Sequence, residues 1–144
     1  MENSDTVKLL RECDAGSKMA VSSIDDVLER VRDSNLKALL SESKEHHAKL
    51  GNELHALLNK LGIEDKDPAP IAKGMAKMKT SMKMGMDDSD ATGADLITDG
   101  CDMGIKSLNR YLNQYKAADR EAIGICQKLI SIEEKLGKEL RGYL

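Results

Sequence analysis

The residues best suited to chemistry are three histidines, His46, His47 and His55, and the carboxylates that could join them. Glu42 and His46 stand four apart, so on a helix they share a face and form a workable chelating pair. His47 and His55 lie two helical turns apart, about 12 Å, too far to hold one ion together. Late in the chain, Glu133 takes the place of His47 in a repeated phrase described below, and Asp102 takes the place of Asp14 in the same way. Imidazoles and carboxylates of this kind suit iron, zinc or manganese. Acids inside a helical bundle would need such an ion or a charged partner. The candidate metal ligands are therefore Asp14, Glu42, His46, His47, Asp102 and Glu133. The simpler reading, preferred at this point, has no metal: these residues edge the core and meet solvent or a lysine such as Lys49 or Lys135.

Sulfur offers two further chemistries. Cys13, Cys101 and Cys126 are an odd number without Cys-x-x-Cys spacing, and all three fall on apolar faces. Burial raises a thiol's pKa and makes it unreactive, so they read as reduced core residues of a cytoplasmic protein. Met75, Met78, Met82, Met84 and Met86 crowd one stretch. Thioethers suit Cu(I), but no Cys or His stands among them. Ile71, Met75, Met78 and Met82 are at helix-face spacing, so a flexible Met face packed on the rest of the protein is the expected explanation. A protein partner docking on Met75, Met78 and Met82 is the second reading, and copper the third. Lysines 73, 77, 79 and 83 give the same segment a basic face. No Gly-rich phosphate loop, no Gly-x-Ser-x-Gly elbow and no recognisable Cys–His pair occurs, which leans against an enzyme.

The elements that position these residues are helices. Apolar content is 40% but aromatics only 2%, three Tyr with no Phe or Trp, so the core is Leu, Ile, Val, Met and Ala. That composition favours helix over sheet. The net charge of −3 is mixed along the chain, without the basic stripe a nucleic-acid partner requires. No apolar run approaches the ~20 residues of a membrane span, and the N-terminus lacks a signal-peptide pattern.

Helical stripes run through Leu9, Cys13, Ala20, Ile24, Val27, Leu28 and Val31, and then through Leu36, Leu39, Leu40, Leu50, Leu54, Leu57, Leu58 and Leu61. Ser4 is the expected first N-cap, the first helix is expected to end near Arg32, and Ser34 is the expected second N-cap. Gly62 is the expected left-handed stop. A polar connection with Pro68 and Pro70 leads to a short helix over about 71–83. Two more helices follow, over about 92–116 and from an N-cap at Asp119. KLGNEL at 49–54 returns as KLGKEL at 135–140, and Cys13-Asp14-Ala15-Gly16 returns as Cys101-Asp102-Met103-Gly104. The chain reads as one domain over 1–144: hairpin 1 at about 4–62, a crossover at about 63–91 and hairpin 2 at about 92–144. Gly16, Gly51, Gly104 and Gly137 fall midway along these hairpins. Close approach of paired helices explains them, and a small-ligand cavity is the alternative.

On the Cys13–Gly16 and Cys101–Gly104 elements, the helix-2 segment Glu42–Leu58 and the crossover Lys73–Lys79, the chain resembles an uncharacterised bacterial family of ferritin-like four-helix proteins, a domain of unknown function. The resemblance implies a fold, an all-α up-down bundle of two helical hairpins with a short extra helix in the crossover, and no activity. A di-iron site in such bundles takes one Glu from each of two helices and Glu-x-x-His from each of the other two. Here Ser43, Lys44 and Asn52 precede the three histidines by three, so the motif is absent. The reading is thus a non-enzymatic structural or interaction bundle, associating as a homo-oligomer or with a partner. Its rival is a metal-dependent redox or storage protein with atypical Glu, His and Asp ligands.

Overall fold

The computed structural model describes residues 3–144; the side chains of 71 and 72 lie outside that description, and with them Ile71 as a member of the Met face. The order is α1 (Ser4–Leu28), α2 (Ser34–Leu61), α3 (Pro70–Met86), α4 (Asp90–Gln114), α5 (Arg120–Leu140) and a final 3-10 turn at Arg141–Tyr143. No strand occurs among the described residues. α1 packs on α2 and α4 on α5, α1 also touches α4 and α5, α2 touches α5, and α3 lies against α1 and α4. The chain is an all-α helical bundle.

Both expected N-caps move one residue earlier. Asn3 caps α1, its side chain accepting from the Asp5 amide at 2.9 Å. Asp33 caps α2, accepting from the Leu36 amide at 2.8 Å. Asn and Asp cap at least as well as Ser, and each is the first such residue in the extended backbone before its helix. α1 stops at Leu28 rather than near Arg32 because another helix claims the next amides: Asp90 at the start of α4 accepts from Arg32 N at 2.7 Å and Asp33 N at 3.0 Å. Val31 stays buried although it has left the helix. Gly62 ends α2 with φ 67°, and Ile63 N donates to Leu58 O at 2.8 Å, closing the helix end by a Schellman-type bond.

The start of α1 is latched to the α4–α5 turn. Asp5 accepts from Ala117 N at 2.9 Å, Thr6 Oγ1 accepts from Asp119 N at 2.8 Å, and Asn3 donates to Ala117 O. Asp119 precedes α5 but makes no side-chain cap bond.

The core divides in two. One apolar cluster holds Leu9, Leu10, Cys13, Leu50, Leu54, Leu108, Cys126, Leu129 and neighbours; the other holds Ile24, Val27, Leu36, Leu40, Ala94, Ile97, Cys101, Leu136 and Leu140. Following each helix from one cluster to the other crosses a band of small or polar residues: Ser17 in α1, Ser43 and His47 in α2, Gly104 in α4 and Glu133 in α5. Ser17, Ser43, His47 and Glu133 are all buried. The bundle therefore carries one polar layer at mid-height.

Candidate functional sites

The polar layer centres on His47 and Glu133. Leu36, Leu40, Leu50, Leu54 and Leu57 are spaced by threes and fours, and the same spacing passes through 43 and 47, which drives Ser43 and His47 inward. His47 is 0% exposed and Glu133 7%. His47 Nδ1 donates to the Ser43 carbonyl at 2.8 Å, and Nε2 lies 3.1 Å from Glu133 Oε1. A carbonyl and an ionised carboxylate can only accept, so with Glu133 ionised both ring nitrogens donate and the ring is an imidazolium. Burial works against that charge, but the Glu133 hydrogen bond and charge, with the Ser43 carbonyl, outweigh it and hold His47 above its ordinary 6.5. Cys101 shares the neighbourhood; burial first, then the Glu133 carboxylate, push its thiol up.

The mid-helix glycines leave no hollow for a ligand. A Cβ at Gly104 would stand 3.7 Å from Glu133 Cδ, one at Gly137 3.6 Å from Cys101 Cβ, and one at Gly51 3.7 Å from Ser17 Oγ. These are ordinary packing distances with the neighbouring helix.

Asp14 forms a second cluster with residues from the α2–α3 connection. It is 0% exposed. Its Oδ2 accepts from Lys66 N at 2.8 Å and meets Lys18 Nζ at 3.2 Å; its Oδ1 is 3.5 Å from His55 Nε2. Lys18 also reaches Asp65 at 3.2 Å and Asp67 at 2.9 Å. Burial opposes the Lys18 charge, but Asp67, Asp14 and Asp65 together raise its pKa, and Lys18 in turn lowers that of Asp65.

The remaining candidates sit elsewhere. Glu42 and His46 are exposed, 3.9 Å apart, and His46 lines an open groove between α2 and α5 with Lys49, Glu53 and Lys128. Asp102 is exposed, so the pairing with Asp14 in the repeat does not extend to environment. The connection at 63–69 reaches Asp14 through the Lys66 amide and closes it off, while Asp102 makes no hydrogen bond or ion pair among the described residues. Both aligned cysteines, Cys13 and Cys101, are buried.

One expectation is corrected. The Met face does not pack on the bundle. Met75, Met78, Met82 and Met86 are 66%, 64%, 61% and 87% exposed, while Thr80 and Met84 are buried. α3 presents its opposite side, burying Thr80 and Met84, with Lys77, Lys79 and Lys83 lying 3.8, 3.5 and 3.7 Å from Asp26, Asp99 and Asp95 on α1 and α4. The helix also runs farther than expected, to Met86. The neighbouring Cys126 and burial push the Cys13 thiol up. All three sulfurs remain free and buried.

Sequence reasoning missed Ser43 and Cys101 as neighbours of the His47–Glu133 pair, and it missed Lys18, His55, Asp65 and Asp67 around Asp14. The α2 stripe signalled Ser43, and the α4 stripe signalled Cys101. Only the fold assembles the second group, since Asp14 meets a connection some fifty residues on.

No family model matches the chain, and no curated protein does. A crystal structure of a DUF305 fragment from Deinococcus radiodurans is similar, with a TM-score of 0.76 over 97% of this chain and 95% of that one, at 11% identity. At that identity the likeness shows the fold alone, a helical bundle. No helix among the described residues is long and apolar enough to cross a membrane.

Proposed function

We propose that the protein is a non-enzymatic interaction bundle whose docking element is the outward face of α3. The observation that carries this is the exposure of four methionines on one side of a helix held in place by its other side. Met75, Met78, Met82 and Met86 stand at steps of three and four, a single apolar stripe. Lys83 pairs with Asp95 and Lys79 with Asp99, each one turn apart along antiparallel helices. One more step brings Met103, 68% exposed on α4, level with Met75. Long flexible thioethers are well suited to receive a partner's apolar side chains.

The partner is an amphipathic helix with acidic residues beside its apolar stripe. α3 holds four lysines and no Asp or Glu from Pro70 to Met86. Lys77, Lys79 and Lys83 reach their acids only at 3.8, 3.5 and 3.7 Å and stay partly exposed, so they remain open to a partner; a second copy of the same helix would set lysine against lysine, and charge favours a different protein over a homo-oligomer. A ferritin-like layout, one domain with hairpins at about 4–62 and 92–144, is supported by the packing of α1 on α2 and α4 on α5. Free, buried thiols fit a reducing bacterial cytoplasm.

The test is fluorescence anisotropy with two labelled model helices, one Leu-striped with flanking Glu and one with flanking Lys, alongside light scattering of the protein alone. The Glu-flanked helix binds, the Lys-flanked helix binds at least tenfold more weakly, and Met75→Gln/Met78→Gln/Met82→Gln abolishes binding without changing the melting temperature. Equal binding of both helices overturns the reading, as does no binding, or a dimer that the triple variant dissociates.

A further inference from the structure

We infer that Asp14, His55 and Asp65 form a site for a divalent cation of the zinc class, independent of the α3 face. One oxygen of Asp14 carries the inference. Asp14 is fully buried, and its Oδ2 is satisfied by the Lys66 amide and Lys18. Its Oδ1 is also shut away from solvent and has no hydrogen-bond partner. The His55 ring nitrogen stands 3.5 Å off, outside the 2.7–3.2 Å range of an N–H···O bond. A buried carboxylate oxygen without a donor is costly, and an ion is one standard way of satisfying it.

The geometry suits a metal better than a hydrogen bond. Ligand atoms of Asp14, His55 and Asp65 all lie within 4.8 Å of one another. Two ligands each ~2.1 Å from a tetrahedral ion are roughly 3.4 Å apart. The 3.5 Å from Asp14 Oδ1 to His55 Nε2 is close to that separation. One imidazole and two carboxylates are the oxygen and nitrogen donors that zinc accepts, and a water would complete four-coordination. His55 and Asp65 are partly exposed, which gives the ion an entry path.

Charge agrees. Asp14, Asp65 and Asp67 face a single ammonium, Lys18, leaving two negative charges uncompensated, the charge of a divalent cation. Glu12 is taken by Lys66. Lys18 contacts the Oδ2 atoms of Asp14 and Asp65, so it neighbours the ion and repels it without occupying Asp14 Oδ1. The bound ion would fasten the α2–α3 connection, through Asp65, to α1 and α2.

The experiment is isothermal titration of the metal-stripped full chain with Zn(II), with elemental analysis after gel filtration. The expected result is one zinc per chain, with affinity reduced at least tenfold in His55→Ala and in Asp65→Asn. Those side chains are partly exposed, so circular dichroism should show both variants folded. Lys18→Met should tighten binding, because it removes the competing charge, and His46→Ala should leave it unchanged. No stoichiometric zinc, binding unaffected by His55→Ala, or binding lost in His46→Ala each overturns the assignment. None of these outcomes depends on the α3 face.

Discussion

Replacing Glu133 with Leu should destabilise the protein by about 2–3 kcal/mol, and replacing His47 with Leu as well should restore most of that loss. Among the described residues Glu133 is the only side chain bonded to His47 Nε2, and both are buried. Breaking a buried ion pair from one side costs about 3–5 kcal/mol when the survivor stays charged. His47 can shed its proton, which limits the loss toward that of one unsatisfied buried polar atom, about 1–3 kcal/mol. For a chain of this size the single change should lower the melting temperature by about 5–10 °C. The double variant His47→Leu/Glu133→Leu removes both polar partners and places two apolar residues between two apolar clusters, so it should fall within about 1 kcal/mol of the native protein. Urea unfolding of the four proteins gives the coupling directly; with His47→Leu costing as much as Glu133→Leu, it is expected at about 3–5 kcal/mol. The coupling should also depend on pH. The folded pKa of His47 is raised, so the pair's contribution is full below the ordinary 6.5 and is lost as pH rises through the folded value. It should be larger at about pH 6 than at about pH 9. Single variants within about 0.5 kcal/mol of native, additive losses, or a coupling that grows with pH would refute the reasoning.

Four further outcomes are expected. A Cβ at Gly93 would stand 2.9 Å from Val31 Cγ1 and 3.1 Å from Val27 Cγ1, so Gly93→Ala should cost about 1–3 kcal/mol in thermal unfolding. Gly100→Ala meets nothing within 4 Å inside a helix and should instead stabilise by about 0.5–1 kcal/mol. Asp90→Ala strips the acceptor from two amides of the α1–α2 turn, and hydrogen exchange at Arg32 and Asp33 should accelerate with a loss of about 1–3 kcal/mol. The three buried thiols should react with a disulfide reagent only as fast as the protein opens, and at once in denaturant.

Much of the fold was legible because helices announce themselves by period. The leucines of α2 set its buried side, and Gly62 marked its end. Cap positions shifted by one because Asn3 and Asp33 compete with the serines that follow them. The end of α1 was not legible, since an acid at position 90 decides it. Of the candidate ligands, His47 and Glu133 lie on apolar stripes, and the structure brings them together; Glu42, His46 and Asp102 do not, and they meet solvent. The repeat suggested like environments for Asp14 and Asp102, but a repeat carries no information about what the intervening connection covers. The Met face misled for a related reason. α3 has two sides able to pack, Met75–Met78–Met82 and the small-residue side Ala76–Thr80–Met84, and periodicity alone cannot say which faces inward. In the structure Thr80 and Met84 face inward, and three lysines of α3 reach acids on α1 and α4.

The most direct test of the docking role is an NMR spectrum of the protein with labelled methionine methyls, recorded while the Glu-flanked helix is added. Met75, Met78, Met82 and Met86 should shift together, with Met103 following, while buried Met84 stays in place. Shifts confined to methionines away from α3, or no shift at saturating helix, would contradict a docking surface on this face.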